Sequence, residues 1–295
     1  MTILDSLFKQ SGTTDPALAE LLADPGVRME QVDLTKPLTV APDPGPFDVV
    51  YHLAAINGTR LFYEMPYQVA SGNLAMTLSL LAWLRGRSVG MLVYASTSEV
   101  YAGAVALGLA RVPTAEEALV AFPQPTAVRF SYATSKFMGE FLVREFGVET
   151  GMPTCIVRYH NVYGPRMGSK HVVSELIVRI AQGERPLRVY GADETRAFCY
   201  VDDAVEATVR LGGTPSAAGE IVHIGNAKEE IAIGDLARML LEQMGAPAEF
   251  VAEPGRGASV SRRCPDTGKL SRLTGFEAGV ALRQGLARTI PWYTR

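Results

Sequence analysis

A tyrosine, a lysine and a threonine in this sequence have the types and spacing for taking a proton from an alcohol. In Ser131-Tyr132-Ala133-Thr134-Ser135-Lys136 the tyrosine and lysine stand four apart, and on a helix positions i and i+4 share a face. A phenol with a reference pKa of about 10 is a poor base at neutral pH. A neighbouring ammonium stabilises the phenolate and lowers that value, and a nearby hydroxyl can share the proton. Thr97, in the upstream run Ser96-Thr97-Ser98-Glu99, is placed to be that hydroxyl. A lone Y-x-x-x-K also describes a surface tyrosine beside a solvated lysine, so the reading depends on the elements that carry it.

Those elements alternate. Thr2-Ile3-Leu4 reads as a short strand ending at Asp5, and Asp15-Pro16 opens a helix to Leu22, with Asp15 as its cap. Val27 to Val32 reads as the next strand, and 48–53 as a buried parallel strand. Pro66 starts a helix to about Arg85. Met91 to Tyr94 is a strand ending in the polar run 96–99, Ser131 caps a helix to about Thr150, and Thr154 to Arg158 is again a strand. This rhythm predicts an open, mostly parallel, doubly wound α/β sheet. Ligands of such sheets bind at the carboxyl ends of the strands, which is where Thr97 and Glu99 fall. Beyond Gly164-Pro165 the pattern loosens into helices at 171–182, 201–211 and 234–244 with strands at 187–190 and 220–224. The expected division is 1–164 for the main sheet and 165–295 for a smaller α+β substrate lobe, with the chain rejoining the main sheet at about 197–225.

Composition narrows the class. A net charge of −3 and 47% hydrophobic residues suit a large core and give no footing for nucleic acid. The apolar stretch 74–84 is interrupted by Thr77 and Ser79 and is too short for a bilayer span. The first residues lack a basic segment of the kind that begins a signal peptide, so a cytoplasmic protein is expected. Cys155, Cys199 and Cys264 are odd in number and widely spaced, which indicates reduced thiols and neither a disulfide framework nor a metal site.

The motifs extend well past the Tyr–Lys pair. They include His52-Leu53-Ala54-Ala55 with Asn73, 95–101 (ASTSEVY), 158–166 (RYHNVYGPR), 195–203 (TRAFCYVDD) and 219–226 (GEIVHIGN). In this order the chain resembles the extended short-chain dehydrogenase/reductases that act on nucleotide sugars: epimerases, 4,6-dehydratases and decarboxylases. The resemblance implies a Rossmann-like fold, NAD as cofactor, a UDP-sugar as the favoured substrate, and a homodimer formed through helices 66–85 and 132–149. Thr97-Ser98-Glu99 resembles the Thr-Ser-Glu of UDP-glucuronate decarboxylases, whereas dehydratases usually show Thr-Asp-Glu and 4-epimerases usually lack the glutamate.

From that resemblance Tyr132, Lys136 and Thr97 would carry the oxidation at sugar C4. Glu99 would manage protons near C5 and Ser98 would hydrogen-bond the sugar. Arg196, Asn161 and, more weakly, Arg256 would bind the diphosphate or sugar. Asp5, Asp33, Leu34, Leu53, Ala54, Ala55 and Asn73 would line the NAD site together with Tyr132 and Lys136. Each has a plainer reading too: Glu99 as a strand-end polar residue, Arg196 as a surface ion pair, Asn161 as a turn former before Gly164-Pro165.

One part of the family pattern is missing. Relatives begin with a strand, a G-x-x-G-x-x-G loop whose backbone N–H groups approach the cofactor pyrophosphate, and a helix; no such loop precedes Asp5. In the order 3-2-1-4-5-6 the first strand sits mid-sheet, so two unpaired strand edges are expected. Three readings follow: an enzyme whose gene start is placed about one strand, loop and helix late, a shortened non-catalytic homologue acting as a binding partner, or an enzyme with an altered cofactor site.

Overall fold

The computed structural model describes residues 1–7, 15–39, 46–122, 124, 127–255 and 260–294. The chain opens with β1 (Thr2–Asp5), α1 (Pro16–Leu22), β2 (Arg28–Gln31) and β3 (Phe47–His52). Next come α2 (Thr59–Glu64), α3 (Pro66–Leu84), β4 (Val89–Thr97), α4 (Ala102–Ala106), α5 (Ser131–Thr150) and β5 (Thr154–Tyr159). After β6 (Val162–Tyr163) lie α6 (Val172–Ala181), β7 (Leu187–Tyr190), β8 (Thr195–Ala197), β9 (Cys199–Tyr200) and α7 (Val201–Gly212). The remainder is β10 (Ile221–Ile224), β11 (Glu230–Ala232), α8 (Ile233–Gln243), β12 (Phe250–Glu253), β13 (Arg262–Arg263), α9 (Gly268–Thr274) and α10 (Leu282–Tyr293).

The main sheet runs β10-β5-β4-β3, every neighbour pair parallel. Parallel strands need both faces covered, and they are. Cys155, Val157, Met91 and Val93 pack against Ala204, Ala207 and Leu211 of α7 on one face. On the other, Leu92, Tyr94 and Ile156 meet Leu80, Leu81 and Leu84 of α3 and Val143 and Phe146 of α5. A third cluster joins α6, α8 and α10 with β7 through Leu176, Ile177, Leu187, Leu236, Leu240 and Leu286.

β1 and β2 form a separate parallel pair, so the expected break between this pair and β3 is present. The pair is held to the body from the side. Leu34 is buried, Leu38 packs on the α3–α5 cluster, and Ser79 Oγ donates to the Lys36 carbonyl at 2.6 Å.

Asp15 caps α1 as its type predicts, accepting from Ala17 N at 2.9 Å with Pro16 in the first turn. β4 runs into the polar run as expected and ends at Thr97, with Thr154 to Tyr159 of β5 paired along Leu92 to Thr97. One local expectation is corrected. Ser131 does not cap α5: it is the first helical residue, preceded by a short 3-10 turn at Val128–Phe130, and its Oγ is buried without a partner.

Candidate active site

β4 delivers the polar run to the carboxyl edge of the sheet. Thr97 Oγ1 accepts from Glu99 N at 3.2 Å and so caps the 3-10 turn Ser98–Tyr101. That cap turns the chain off the strand axis and leaves Thr97 and Ser98 buried with Glu99 beside them. α5 packs on the face of the sheet beside α3 and against β4. Gly139 allows the close approach, since a Cβ there would overlap the Tyr94 hydroxyl. Lys136 is only 2% exposed, and its ammonium lies over the Tyr94 ring, 4.2 Å from the centroid. Tyr132, one turn earlier, stacks on Phe62 of α2 with centroids 4.9 Å apart and planes 9° from parallel.

Burial dominates the electrostatics here. It brings the Lys136 ammonium down to about 7, against the pull of Glu140. It pushes the Tyr132 phenol up, with Glu99 adding to the rise. The lowered phenol expected from the Tyr–Lys spacing is therefore not expressed in this arrangement. The physical reason is that both groups are desolvated and the ammonium faces Tyr94. Glu99 behaves oppositely. Burial alone would raise its carboxyl, but Arg263 and then Arg129 hold it at about 2.

That clamp was not foreseen from sequence. Arg129 Nη2 donates to Glu99 Oε2 at 3.1 Å, while Arg263 donates to Glu99 Oε1 and, at 3.3 Å, to Oε2. Arg263 arrives through β13, which pairs with β8 in the register Arg263 to Arg196. Arg196, on β8, donates to Glu194 at 2.7 Å, and burial followed by the Arg263 charge brings it down to about 10. Three arginines and two glutamates thus share one wall of the site, a net positive surface.

Asn73 acts as a staple. Its Oδ1 accepts from Ile56 N at 2.7 Å, and its Nδ2 donates to Ile56 O at 3.2 Å and to Ser135 Oγ at 3.1 Å. The loop of Leu53, Ala54 and Ala55 is thereby tied to α5 between Tyr132 and Lys136. Asn161 sits at φ +40° and donates through Nδ2 to the Ala197 carbonyl at 3.1 Å, one residue from Arg196. The bonds of Asp5 and Asp33 are local. Asp5 Oδ1 accepts from Leu7 N at 2.6 Å, and Asp33 Oδ1 accepts from Thr35 N and Oγ1 at 3.0 and 2.6 Å. Leu34 is in the core, and Arg256 lies outside the described residues.

A doubly wound parallel sheet with a Tyr–Lys helix packed on its face against a central strand is the arrangement of a short-chain dehydrogenase/reductase. Residues 4–225 match the NAD dependent epimerase/dehydratase family, and the chain belongs to it. The UDP-N-acetyl-alpha-D-glucosaminuronate decarboxylase of Bacillus cytotoxicus is 34% identical over 256 residues, which cover 83% of this chain and 76% of that protein. Among solved structures, a mutant UDP-glucuronic acid 4-epimerase from Bacillus cereus, in complex with UDP-4-deoxy-4-fluoro-glucuronic acid and NAD, superposes with a TM-score of 0.83. It is 25% identical, and the match covers 99% of this chain and 90% of that one. The dTDP-glucose 4,6-dehydratase DesIV from Streptomyces venezuelae, with NAD bound, gives a TM-score of 0.83 at 26% identity over 99% of this chain and 86% of its own.

Asn73 fixes the Ala54-Ala55 loop against the Tyr–Lys helix, and Gly72 brings α3 against that loop, where a Cβ would meet Ile56 at 2.7 Å.

Proposed function

We propose that this chain modifies a UDP-sugar bearing a C6 carboxylate by NAD-dependent oxidation at C4, with decarboxylation as the outcome. The observation that carries the reading is the arginine wall around Glu99. Arg129, Arg263 and Arg196 make a cationic surface, and all of the named relatives above except the dehydratase take an acidic sugar by name.

NAD, when bound along Asn73, the Ala54-Ala55 loop, Tyr132 and Lys136, supplies the hydride acceptor. The chain's own residues handle the protons and the charge. Tyr132, as its phenolate, takes the C4 hydroxyl proton, Lys136 supplies the positive charge that stabilises that phenolate against burial, and Thr97 bonds the same oxygen. Loss of CO2 from a β-keto acid needs no strong base, only an oriented carboxylate that is not held too tightly. Arg129 and Arg263 already share Glu99, so their pull on a second carboxylate is tempered. Glu99 is ionised under this clamp; once the clamp loosens, burial raises its carboxyl so that it can take up a proton from solvent and pass it on near C5. Ser98 and Arg196 contribute sugar and diphosphate contacts, with Asn161 shaping the adjoining turn.

The assembly in this reading is a homodimer through α3 and α5. Leu78, Met138 and Phe141 are each about half exposed and Val148 more so, around an apolar groove of about 390 Å³ between the two helices. No helix among the described residues is long and apolar enough to cross a membrane, and the cytoplasm is the compartment that suits the substrate.

Product analysis with carboxyl-labelled UDP-glucuronate and added NAD tests the proposal. Labelled CO2 with a UDP-pentose product is expected. Interconversion of UDP-glucuronate with its C4 epimer and no CO2 would move the chain to the epimerases, and the absence of turnover on every nucleotide sugar would leave a non-catalytic binding partner.

A further inference from the structure

We propose that Glu140 and Arg158 are positioning residues that set the charge of Lys136 from behind the catalytic helix. Both are buried, about 3% exposed, Glu140 on α5 and Arg158 on β5 beneath it. Glu140 is one turn beyond Lys136, on the same face of α5. Its carboxylate accepts from Arg158 Nε at 2.9 Å, from Arg158 Nη2 at 2.5 Å and from Ser96 Oγ at 2.5 Å. Arg158, on β5, also donates to the Glu116 carbonyl at 3.0 Å and to the Tyr101 hydroxyl.

The groups facing Lys136 are few, and each can be assigned a charge. From β4 comes the uncharged Tyr94 ring, and burial pushes that phenol up. From β3 comes His52, bonded to Thr77 Oγ1 at 3.1 Å and kept neutral because burial, then the Lys136 charge, lowers it to about 3. On α5 itself stand Tyr132, whose phenol is raised by burial and Glu99, and Glu140. Behind Glu140 stands Arg158. The cluster therefore holds two cations and one anion, with the anion bonded to the outer cation.

This arrangement explains an intermediate state. With no counter-ion, a lysine at 2% exposure would lose its proton below neutrality, at about 5–6. With Glu140 wholly its own, it would stay charged like a surface lysine. Because Arg158 and Ser96 hold the Glu140 carboxylate, its charge offsets only part of what burial takes from Lys136, whose ammonium is brought down to about 7. Gly139 and the Tyr94 ring complete the setting by fixing how near the ammonium sits to β4.

The test needs neither cofactor nor sugar, so its failure is distinct from failure of the proposed reaction. Lysine side chains labelled with 13C are titrated by NMR, and the Lys136 signal is assigned by its loss in Lys136→Met. In the unaltered protein half-titration is expected near pH 7. Glu140→Gln leaves Arg158 facing Lys136 and should lower the midpoint by about one unit or more, the scale of a close charge–charge effect. Because that variant strands a buried guanidinium and can fail to fold, Glu140→Gln/Arg158→Met is measured beside it. With both charges gone, its midpoint should fall between those of Glu140→Gln and the unaltered protein. A purely structural role would lower the melting temperature without moving the titration. An unchanged Lys136 midpoint in the folded double variant, or a midpoint near 10 in the unaltered protein, would overturn the proposal.

Discussion

Two regions of this molecule are built from the same strand–helix–strand unit and end up in different physical states. In β4, eight of the nine positions from Val89 to Thr97 are buried or nearly so, and β5 is buried from Thr154 to Arg158. In β1 and β2 no position is buried, and α1 between them buries none of its residues. β4 has a hydrogen-bonded strand on each side, whereas β1 pairs on one side only among the described residues. The residues proposed for proton transfer rest on the first region, and Asp5 and Asp33, proposed for the adenosine side, on the second. The difference teaches that the platform under Tyr132 and Lys136 is held by the core, while the β1–β2 pair is held by side contacts.

The largest expected effect follows from placing the chemistry on the packed region. Tyr132→Phe removes one hydroxyl from the proton relay and leaves the ring that stacks on Phe62. Turnover should fall by roughly 10²–10⁴, the usual share of a general base, with sugar-nucleotide affinity within a few-fold. Retention of more than roughly a tenth of the activity would take Tyr132 out of the base role and weaken the contrast.

Next comes the core itself. Leu92 has no exposure and meets Leu80, Leu84, Val143 and Ile156. Leu92→Ala deletes methyl groups that the neighbours cannot replace and should cost about 2–5 kcal/mol in denaturant unfolding. A loss under about 1 kcal/mol would mean that the sheet under the catalytic helix collapses around the change, contrary to a rigid platform.

This contrast also marks what could be read in advance. The i, i+4 face of Tyr132 and Lys136, the Asp15 cap and the strand carrying Thr97 to Glu99 follow from local rules, and local rules hold where a motif spans one or two turns. The Glu99 clamp does not follow from any spacing. Arg263 lies 164 positions from Glu99 and reaches it through β13, a two-residue strand too short to show any period. Glu140 stood at a legible helical interval from Lys136, but its partner Arg158 is fixed by sheet order, which places β5 beside β4. Ser131 was misread as a cap because its type suits one; the preceding 3-10 turn at Val128–Phe130 moves the helix start by one residue. The raised Tyr132 phenol was missed for a related reason, since burial is a tertiary quantity and outweighs the neighbouring ammonium.

The smallest expected effect sharpens the comparison from its weaker side. Ile3 sits opposite Met29 in the β1–β2 pair and is only half-buried, so Ile3→Ala removes few contacts. It should cost under about 1 kcal/mol in global unfolding, well below Leu92→Ala, because a side chain short of full burial forfeits only part of its transfer energy. The local consequence should be larger than the global one. A pair with no buried position opens without breaking the main sheet, and such regions exchange their amides at a cost below that of global unfolding. Hydrogen exchange should therefore show Ile3, Leu4 and Asp5 exchanging faster in the variant, with the amides of Leu92, Val93 and Tyr94 unchanged. Equal acceleration in both strands, or a global cost matching that of Leu92→Ala, would show that β1 and β4 unfold as one unit, and the two regions would have to be counted as a single cooperative body.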